Sequence, residues 1–451
     1  MLKANAGALG MVLFLTLVST AVAGRPIVEQ DGENESFPLP KGVSLLQTAP
    51  PAAGPLVSAP PTAKEEADWV ATRGKILSDF GNRITPEFQI PARLRDRTAF
   101  WFEIYTRYGE AHHVVHHGRF PWIVFTVVDT TETLANGRGP MWLRRKHAGD
   151  VAKKKAREIR DALNRLARKK DYDNLSALEQ SLLQKLADVP GSRKKVLQAA
   201  AANVRTQLGQ KDFFENGLIS SSRYLPFMEE DFRGHDLPTE LTRLPFVESS
   251  FNEAARSKVG ASGIWQIMPA TGRAYMIVND QIDERNSPLK ATRAAALILR
   301  SYFRAMGSWP LAITSYNNGI GNTKKAIRSV GTRDLALIIE RYHRGDFRFA
   351  SSNFFTCFLA ALYAEKYHEL IFKRVPREPL LEHEIVHLPS PTGIHAFTVK
   401  AGVSREDILK YNPDLRTALR QNATLPKGLK VFLPPGLKAR LSRPMTKDQR
   451  A

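Results

Sequence analysis

A glutamate with apolar neighbours is the first candidate for chemistry in this 451-residue chain. Glu248 lies in the segment LPFVESSF, residues 244–251, where Pro245 predicts the start of a short helical turn. Apolar neighbours would keep water from the carboxyl, and desolvation raises a carboxyl pKa. A glutamic acid that keeps its proton near neutral pH can act as a general acid. Taken alone, the segment does not exclude an ordinary surface glutamate.

Two further segments carry residue types that are suited to binding sugars. Residues 260–269 read GASGIWQIMP, and their two glycines allow a bulky ligand to approach the backbone. Gln266 offers an amide donor and acceptor for hydroxyl and acetamido groups, while Trp265 suits either a sugar face or the core. Residues 315–319 read SYNNG. Tyr316 and Asn317 suit sugar recognition, although Asn-Gly alone would indicate only a turn.

In this order and spacing, the three segments resemble the first three motifs of the family 1 lytic transglycosylases. Those motifs are Glu-Ser, then Gly-Ala-Ser-Gly-x-x-Gln-x-Met-Pro, then Tyr-Asn followed by Gly. The resemblance covers about residues 236–372, and within the family the chain most resembles the membrane-bound D type. It implies a goose-type lysozyme-like catalytic domain and an enzyme that cuts the glycan strands of peptidoglycan.

The resemblance also implies roles for individual residues. Glu248 corresponds to the sole catalytic acid and base. A fourth motif of the family often begins with a tyrosine, where this chain has Phe354, so the tyrosine hydroxyl near the glutamate is missing or comes from elsewhere. The residues that correspond to sugar-contacting or cleft-shaping positions are Ser249, Ser257, Gln266, Met268, Tyr316 and Asn317.

The reaction that the resemblance implies uses one carboxylate and forms a 1,6-anhydro product, with no metal and no organic cofactor. Most other glycosidases use two carboxylates. Glu253 is close to Glu248 in sequence, and we expect it at the surface. Two alternatives stay open: a muramidase that adds water to the same bond, and a non-catalytic scaffold that binds peptidoglycan.

The elements that must position these residues are mainly helical. Ser287-Pro288 predicts a helix start, and a later helix is expected to follow Asn353. We therefore predict a mainly α fold with a lysozyme-like catalytic domain at residues 231–375. An accessory region of mixed and then helical structure is expected at 64–230, and a small α+β module at 380–440.

The accessory region contains three patterns that bear on function. Residues 121–128, PWIVFTVV, favour a strand. Residues 144–170 are strongly basic and, with the leucines of 175–186, predict a pair of amphipathic helices whose charges face water or an anionic wall. Between residues 105 and 121 a group of histidines could suggest a metal, but we favour a solvated turn: His112, His113, His116 and His117.

The tail at 380–440 resembles a degenerate LysM module, which in other proteins binds peptidoglycan. The order strand, helix, strand is expected for residues 397–399, 408–413 and 431–435. The usual Gly-Asp-Thr-Leu turn is replaced by Gly402-Val403-Ser404. Glycan binding and a purely structural cap are both compatible with this pattern.

Composition bounds the location and the partners. A short apolar stretch that ends in Ala21-x-Ala23 predicts a signal peptide at 1–23, and a proline-rich linker should follow at 24–63. The single cysteine, Cys357, excludes both a lipoprotein anchor at the cleavage site and an intramolecular disulfide, and it fits the core. We expect a periplasmic or envelope protein. The charge of +20 favours a membrane or anionic wall surface rather than nucleic acid.

Overall fold

The computed structural model describes residues 62–344, 347–372 and 374–441. The predicted signal peptide and all but the last two residues of the predicted linker lie outside these ranges. Across the described residues no helix is long and apolar enough to cross a membrane. Helices dominate, so the prediction of a mainly α fold is confirmed.

The elements are listed here in chain order. The first part of the chain contains α1 (Ala63–Leu77), α2 (Arg95–Thr106), β1 (His112–His117), β2 (Val124–Asp129), α3 (Thr131–Asn136), α4 (Met141–Arg168), α5 (Ala177–Lys185), α6 (Arg193–Ala202), β3 (Val204–Leu208) and α7 (Lys211–Ser221). The middle contains α8 (Leu225–Arg233), α9 (Leu244–Glu248), α10 (Pro269–Gly272), α11 (Pro288–Met306), α12 (Trp309–Asn318), α13 (Ile320–Val330), α14 (Leu335–Arg341), α15 (Phe349–Lys366) and α16 (His368–Ile371). The tail contains β4 (Glu384–His387), β5 (Thr392–Gly393), α17 (Ile394–Ala401), α18 (Arg405–Tyr411), α19 (Arg416–Gln421), β6 (Thr424–Leu425), β7 (Lys430–Leu433) and α20 (Lys438–Leu441).

Two compact units alternate along the chain. Among the described residues, the first is built from 62–215, 306–344, 347–372 and 374, and the second from 216–305 and 375–441. The segment that resembles the catalytic domain, 231–375, therefore contributes to both units.

The first unit contains a three-stranded antiparallel sheet in the order β2-β1-β3. Strand β2 confirms the strand that was predicted near residues 121–128. Helices α4 and α5 confirm the amphipathic pair, and their apolar faces share a core with the sheet through Val115, Phe125, Ile159 and Leu182. The basic residues of α4 are exposed or half-buried, as a solvated face requires.

The histidine group is a strand, and the expectation of a solvated turn was wrong. Strand β1 is the central strand of its sheet, so neighbours pair with it on both edges. Its position buries His113, His116 and His117, whose polar side chains suggested exposure. Desolvation lowers the pKa of His116 to about 3, which keeps the ring neutral at ordinary pH.

Helix α15 begins at Phe349, five residues earlier than the sequence suggested. Asn353 is therefore inside the helix rather than before it, and its side chain is fully buried. Its Oδ1 accepts hydrogen bonds from Arg97 Nη1 and Trp101 Nε1, each at 2.9 Å, which satisfies two polar groups that α2 places in the core. Cys357 on the same helix is a buried core residue, as predicted.

The second unit includes α8 to most of α11 together with the tail. Helix α11 begins at Pro288, as the Ser287-Pro288 pair predicted. In the tail, β4 pairs with β7 in an antiparallel arrangement, and α17 and α18 lie between them along the chain. The strand expected at 397–399 was wrong, because these residues belong to α17. The helix near 408 and the strand near 431 are confirmed.

The tail shares its core with a segment that precedes α11. Ile282 belongs to the same buried cluster as Phe397, Ile408 and Val431. A buried ion pair joins the same two parts, because Lys290 Nζ lies 2.6 Å from Asp414 Oδ2 and 3.1 Å from Glu284 Oε1. The tail is thus packed against the α10–α11 region within one unit.

Candidate active site

Helix α9 is a single turn that presents Glu248 at its last position. A 3-10 helix, Thr239–Arg243, leads directly into it, and Pro245 occupies the start of the turn as the sequence predicted. The helix stops at Ser249, and the next two residues both have positive φ angles, 51° at Ser250 and 56° at Phe251. Non-glycine residues avoid this region, and such strain is frequent at functional sites.

The Glu248 side chain is almost completely buried, with 3% of its surface exposed. Burial raises the pKa of its carboxyl to about 8, and desolvation is the cause. Within the described part of the chain, the carboxyl forms no hydrogen bond or ion pair that would favour its charged form. Glu248 is consequently protonated at neutral pH, which is the state that a general acid needs.

Ser249 connects α9 to the glycine-rich segment. Its hydroxyl donates to the carbonyl oxygen of Ile264 at 2.9 Å. Ser257 acts locally, because its Oγ accepts from the backbone N–H of Ala261 at 2.7 Å. Both serines are buried. The Ser249 bond fixes the backbone next to Glu248, and the Ser257 bond fixes the segment 257–261.

The glycine-rich segment folds as a compact loop, and its conformation at position 263 requires glycine. Its φ is 75°, and an added Cβ would lie 1.9 Å from the carbonyl oxygen of Arg285. The Arg285 guanidinium closes the loop, since Nη1 donates to the carbonyl oxygens of Gly260 and Ile267 at 2.7 and 3.1 Å. Arg285 is paired with Asp283. Sequence analysis missed this arginine, and only its place just before the α11 cap hinted at a role.

Gln266 combines a strained backbone with an unsatisfied buried acceptor. Its φ is 47°. Its Nε2 donates to the carbonyl oxygens of Gly263 at 2.8 Å and Ala255 at 3.2 Å. Its Oε1 is buried and has no partner among the described residues. A buried acceptor without a partner is costly, and a ligand hydroxyl or amide would satisfy it.

Trp265 and Met268, which also belong to the glycine-rich segment, differ in exposure. Trp265 is fully buried, stacks on Phe232 with ring centroids 5.8 Å apart, and donates to Thr292 Oγ1 at 2.9 Å. It is therefore a core residue rather than a sugar platform. Met268 is half-buried and precedes α10, where it can contact a ligand.

Tyr316 and Asn317 belong to the first unit, on the last turn of α12. Tyr316 is half-buried and Asn317 is buried. The hydroxyl of Ser351 lies 3.1 Å from the Oδ1 atoms of both Asn317 and Asn318, which orients the amides. Phe354 is buried one turn along α15 from Ser351. The remaining predicted residues, from Glu248 to Met268, lie together in the second unit.

Glu253 was expected at the surface, but the structure buries part of its side chain. It is half-buried, and its Oε1 accepts from Tyr224 Oη at 2.6 Å and from Arg223 Nη1 at 3.2 Å. This carboxylate is thus occupied by two donors. Among the described residues, no group of three or more His, Cys, Asp or Glu side chains could hold a metal ion.

Comparison with known proteins finds a family match over this part of the chain. Residues 226–339 match the family described as transglycosylase SLT domain. The chain therefore contains an SLT domain that includes Glu248, the glycine-rich loop and the Tyr316-Asn317 pair.

Individual relatives are similar over the same part of the chain. The chain is 32% identical over 124 residues to membrane-bound lytic murein transglycosylase D of Escherichia coli strain K12 and of strain O6:H1, which is 27% of this chain and 27% of each relative. It is 31% identical over 119 residues to a protein named for tributyltin chloride resistance from Alteromonas sp. (strain M-1), which is 26% of this chain and 58% of that protein. The matches thus span about a quarter of the Escherichia coli proteins.

Proposed function

We propose that this protein is a peptidoglycan lytic transglycosylase that cleaves the β-1,4 bond between N-acetylmuramic acid and N-acetylglucosamine. The observation that carries the proposal is the buried Glu248 at the end of α9, within the residues that match the SLT domain. Similarity to lytic murein transglycosylase D supports peptidoglycan as the substrate and the cell envelope as the location. Export and association with a membrane or the anionic wall remain predictions.

In the first step, the Glu248 carboxyl donates its proton to the oxygen that leaves with N-acetylglucosamine. The bond from that oxygen to the muramoyl anomeric carbon breaks. The acetamido oxygen of the same muramoyl residue stabilises the positive charge that develops at this carbon. One protein carboxyl is sufficient, because the substrate supplies the second oxygen group.

In the second step, the Glu248 carboxylate accepts the proton of the muramoyl 6-hydroxyl. The 6-oxygen then forms a bond to the anomeric carbon and gives the 1,6-anhydro product. Glu248 ends the cycle protonated, and no water is consumed. A carboxyl with a pKa near 8 suits both steps, since it readily regains the proton that it gave away.

Gln266 is proposed to bind the glycan beside the cleaved bond, because its buried Oε1 lacks a partner within the described residues. The same role in contacting sugars or shaping the cleft is proposed for Ser249, Ser257, Met268, Tyr316 and Asn317.

Hydrolysis of the same bond would require a group that positions a water molecule. Glu253 is the carboxylate nearest to Glu248 in sequence, and Arg223 and Tyr224 already occupy it. This arrangement supports the lyase over the muramidase reaction.

The test is mass spectrometry of the fragments that the protein releases from purified sacculi. Wild type should release anhydromuropeptides, and Glu248→Gln should release none. Glu230→Gln is the matched control, because Glu230 is an exposed carboxylate on α8 of the same unit, and it should behave like wild type. Fragments with reducing ends would show a muramidase. Sacculus binding without release by any of the three proteins would show a scaffold.

The tail remains a predicted LysM-like module. Its shared core with Ile282 and the Lys290–Asp414 pair support the alternative of a structural cap on the SLT domain.

A further inference from the structure

The first unit carries an exposed tryptophan at the edge of a cavity. Trp122 lies in the turn between β1 and β2, and 38% of its surface is exposed. Tryptophan is usually more buried than this, so an exposed ring that the protein holds in a fixed position suggests a role in binding. The cavity has a volume of about 460 Å³, and its lining includes Phe120, Trp122, Ile123, Lys185, Asp188 and Val189.

The turn that carries Trp122 is fixed by side chains from the sheet and from α2. His117 Nδ1 accepts from the backbone N–H groups of Arg119 and Phe120, at 3.0 and 3.2 Å. Arg97 Nη2 donates to the carbonyl oxygen of Arg119 at 2.8 Å. Three hydrogen bonds thus hold two consecutive residues of the turn just before Trp122.

The indole ring is held as well. The guanidinium carbon of Arg97 lies 5.3 Å from the ring centroid of Trp122, and Arg97 is itself buried and bonded to Asn353. The Phe120 ring lies 5.6 Å away at a tilt of 59°. Buried Arg97 therefore lies over one face of the ring, while 38% of the Trp122 surface stays exposed. A rigid aromatic side chain binds a ligand at low entropic cost.

Two charged side chains line the cavity: the Lys185 ammonium can donate hydrogen bonds, and the Asp188 carboxylate can accept them. Lys185 and Asp188 are exposed, and within the described chain neither forms an ion pair or a hydrogen bond. Lys185 is positively charged and Asp188 is negatively charged. Binding of a lipid phosphate or another anion is therefore disfavoured, because Asp188 would repel it. A neutral ligand with many hydroxyl and amide groups fits both side chains.

We propose that this cavity is a second glycan-binding site, at which an N-acetylated aminosugar of the peptidoglycan strand packs on Trp122. The apolar C–H face of a pyranose ring covers the free side of the indole. Lys185 donates to a hydroxyl or acetamido oxygen, and Asp188 accepts from a hydroxyl or amide N–H. The cavity volume lies within the range of small-ligand sites, about 300–1,000 Å³. The site deepens the proposed function and rests on it for the identity of the glycan.

The direct test is ¹⁹F NMR of the full protein labelled with 5-fluorotryptophan, in a titration with tetra-N-acetylchitotetraose. The chain has six tryptophans, and the signal of Trp122 is assigned by its loss in Trp122→Phe. We expect the Trp122 signal to shift saturably, while the signal of Trp142, which is 41% exposed on α4, stays in place. An unmoved Trp122 signal at saturating sugar would overturn the proposal. A shift caused only by anionic vesicles or by sugar-free stem peptide would overturn it as well.

The supporting test compares the affinity of variants for purified sacculi at fixed ionic strength. Trp122→Ala should bind about tenfold more weakly, as is common when a central aromatic anchor is truncated. Trp122→Phe should retain part of the affinity. Trp142→Ala is the matched control and should bind like wild type. Equal affinity of all four proteins would contradict a role for the cavity in wall binding.

Release of anhydromuropeptides from short soluble glycan fragments is measured on the same preparations. Normal release by Trp122→Ala confirms its fold and makes a weaker sacculus affinity specific to this site. Release without a Trp122 shift overturns only the second site. A Trp122 shift without any release by wild type overturns only the lytic reaction.

Discussion

Replacement of Glu248 by glutamine should stabilise the protein, and increasingly so as the pH rises. The carboxyl has an ordinary pKa of 4.5 in the unfolded chain and about 8 in the folded protein. Between these values the folded state binds more protons than the unfolded state, so stability is lost as the pH rises through this window. Glutamine has a similar shape and never ionises, so the variant escapes this loss.

The size of the effect follows from the pKa difference. Each pKa unit corresponds to about 1.4 kcal/mol, so the raised pKa of Glu248 lowers the unfolding free energy of wild type by about 3 kcal/mol at pH 7 and by about 5 kcal/mol well above pH 8. Near pH 5 the cost is below about 1 kcal/mol. Other ionisable groups act equally in wild type and variant. The difference in unfolding free energy between the two proteins therefore isolates Glu248.

The assay is scanning calorimetry of wild type, Glu248→Gln and Glu230→Gln at pH steps from 5 to 9, following the transition of the second unit. The advantage of Glu248→Gln should grow with pH and level off above pH 8, and Glu230→Gln should show no such trend because Glu230 is exposed. A constant difference between wild type and Glu248→Gln across the range would refute the reasoning. The kcat/KM of wild type should fall over the same upper limb, since the ionised carboxyl cannot donate a proton.

Three further changes test other parts of the structure. Gly263→Ala should lower the melting temperature sharply or prevent folding, because its Cβ would lie 1.9 Å from the carbonyl oxygen of Arg285; a normal melting curve would contradict this. Burial lowers the pKa of His117 to about 4, so its contribution to stability should be lost as the pH falls from 6.5 towards 4 in urea unfolding, and less so in His117→Asn. Asp414→Asn should cost about 3–5 kcal/mol in the same assay by leaving Lys290 buried without this partner, and adding Lys290→Met should recover part of the loss.

The turn around Glu248 was predictable because its determinants are local. Pro245 fixes the start of α9, and the apolar residues beside Glu248 indicate burial. The helix start at Pro288 was predictable for the same reason, since the Ser-Pro pair is contiguous in sequence.

The errors come from contacts that are distant in sequence. The β-branched residues at 398 and 399 suggested a strand, but Ile394, Phe397 and Ala401 recur at helical spacing and are all buried, so packing selected a helix. The histidines of β1 are buried because two strands flank β1. Asn353 lies within α15 because Arg97 and Trp101, some 250 residues earlier in the chain, satisfy its side chain.

At the candidate active site, the sequence predicted which residues take part, but it could not predict their hydrogen bonds. The sequence pointed to Gln266 but could not show that its Nε2 is used internally and its Oε1 is left without a described partner. Arg285 was missed because no motif includes it, although the loop depends on it. The hydrogen bonds of Gln266 and the contacts of Arg285 both depend on the path of the backbone between residues 255 and 285.

The alternation of the two units along the chain has a consequence for the order of folding. Synthesis or translocation from the N-terminus completes residues 216–305 long before the tail that shares their core becomes available. The apolar surface of α10 and α11 stays uncovered while about seventy residues of the other unit are synthesised. At ordinary rates of synthesis this takes several seconds. Contacts that close such long loops slow folding and prolong the exposure of aggregation-prone surface. A nascent chain of this protein should therefore depend on holding chaperones until residue 433 has emerged.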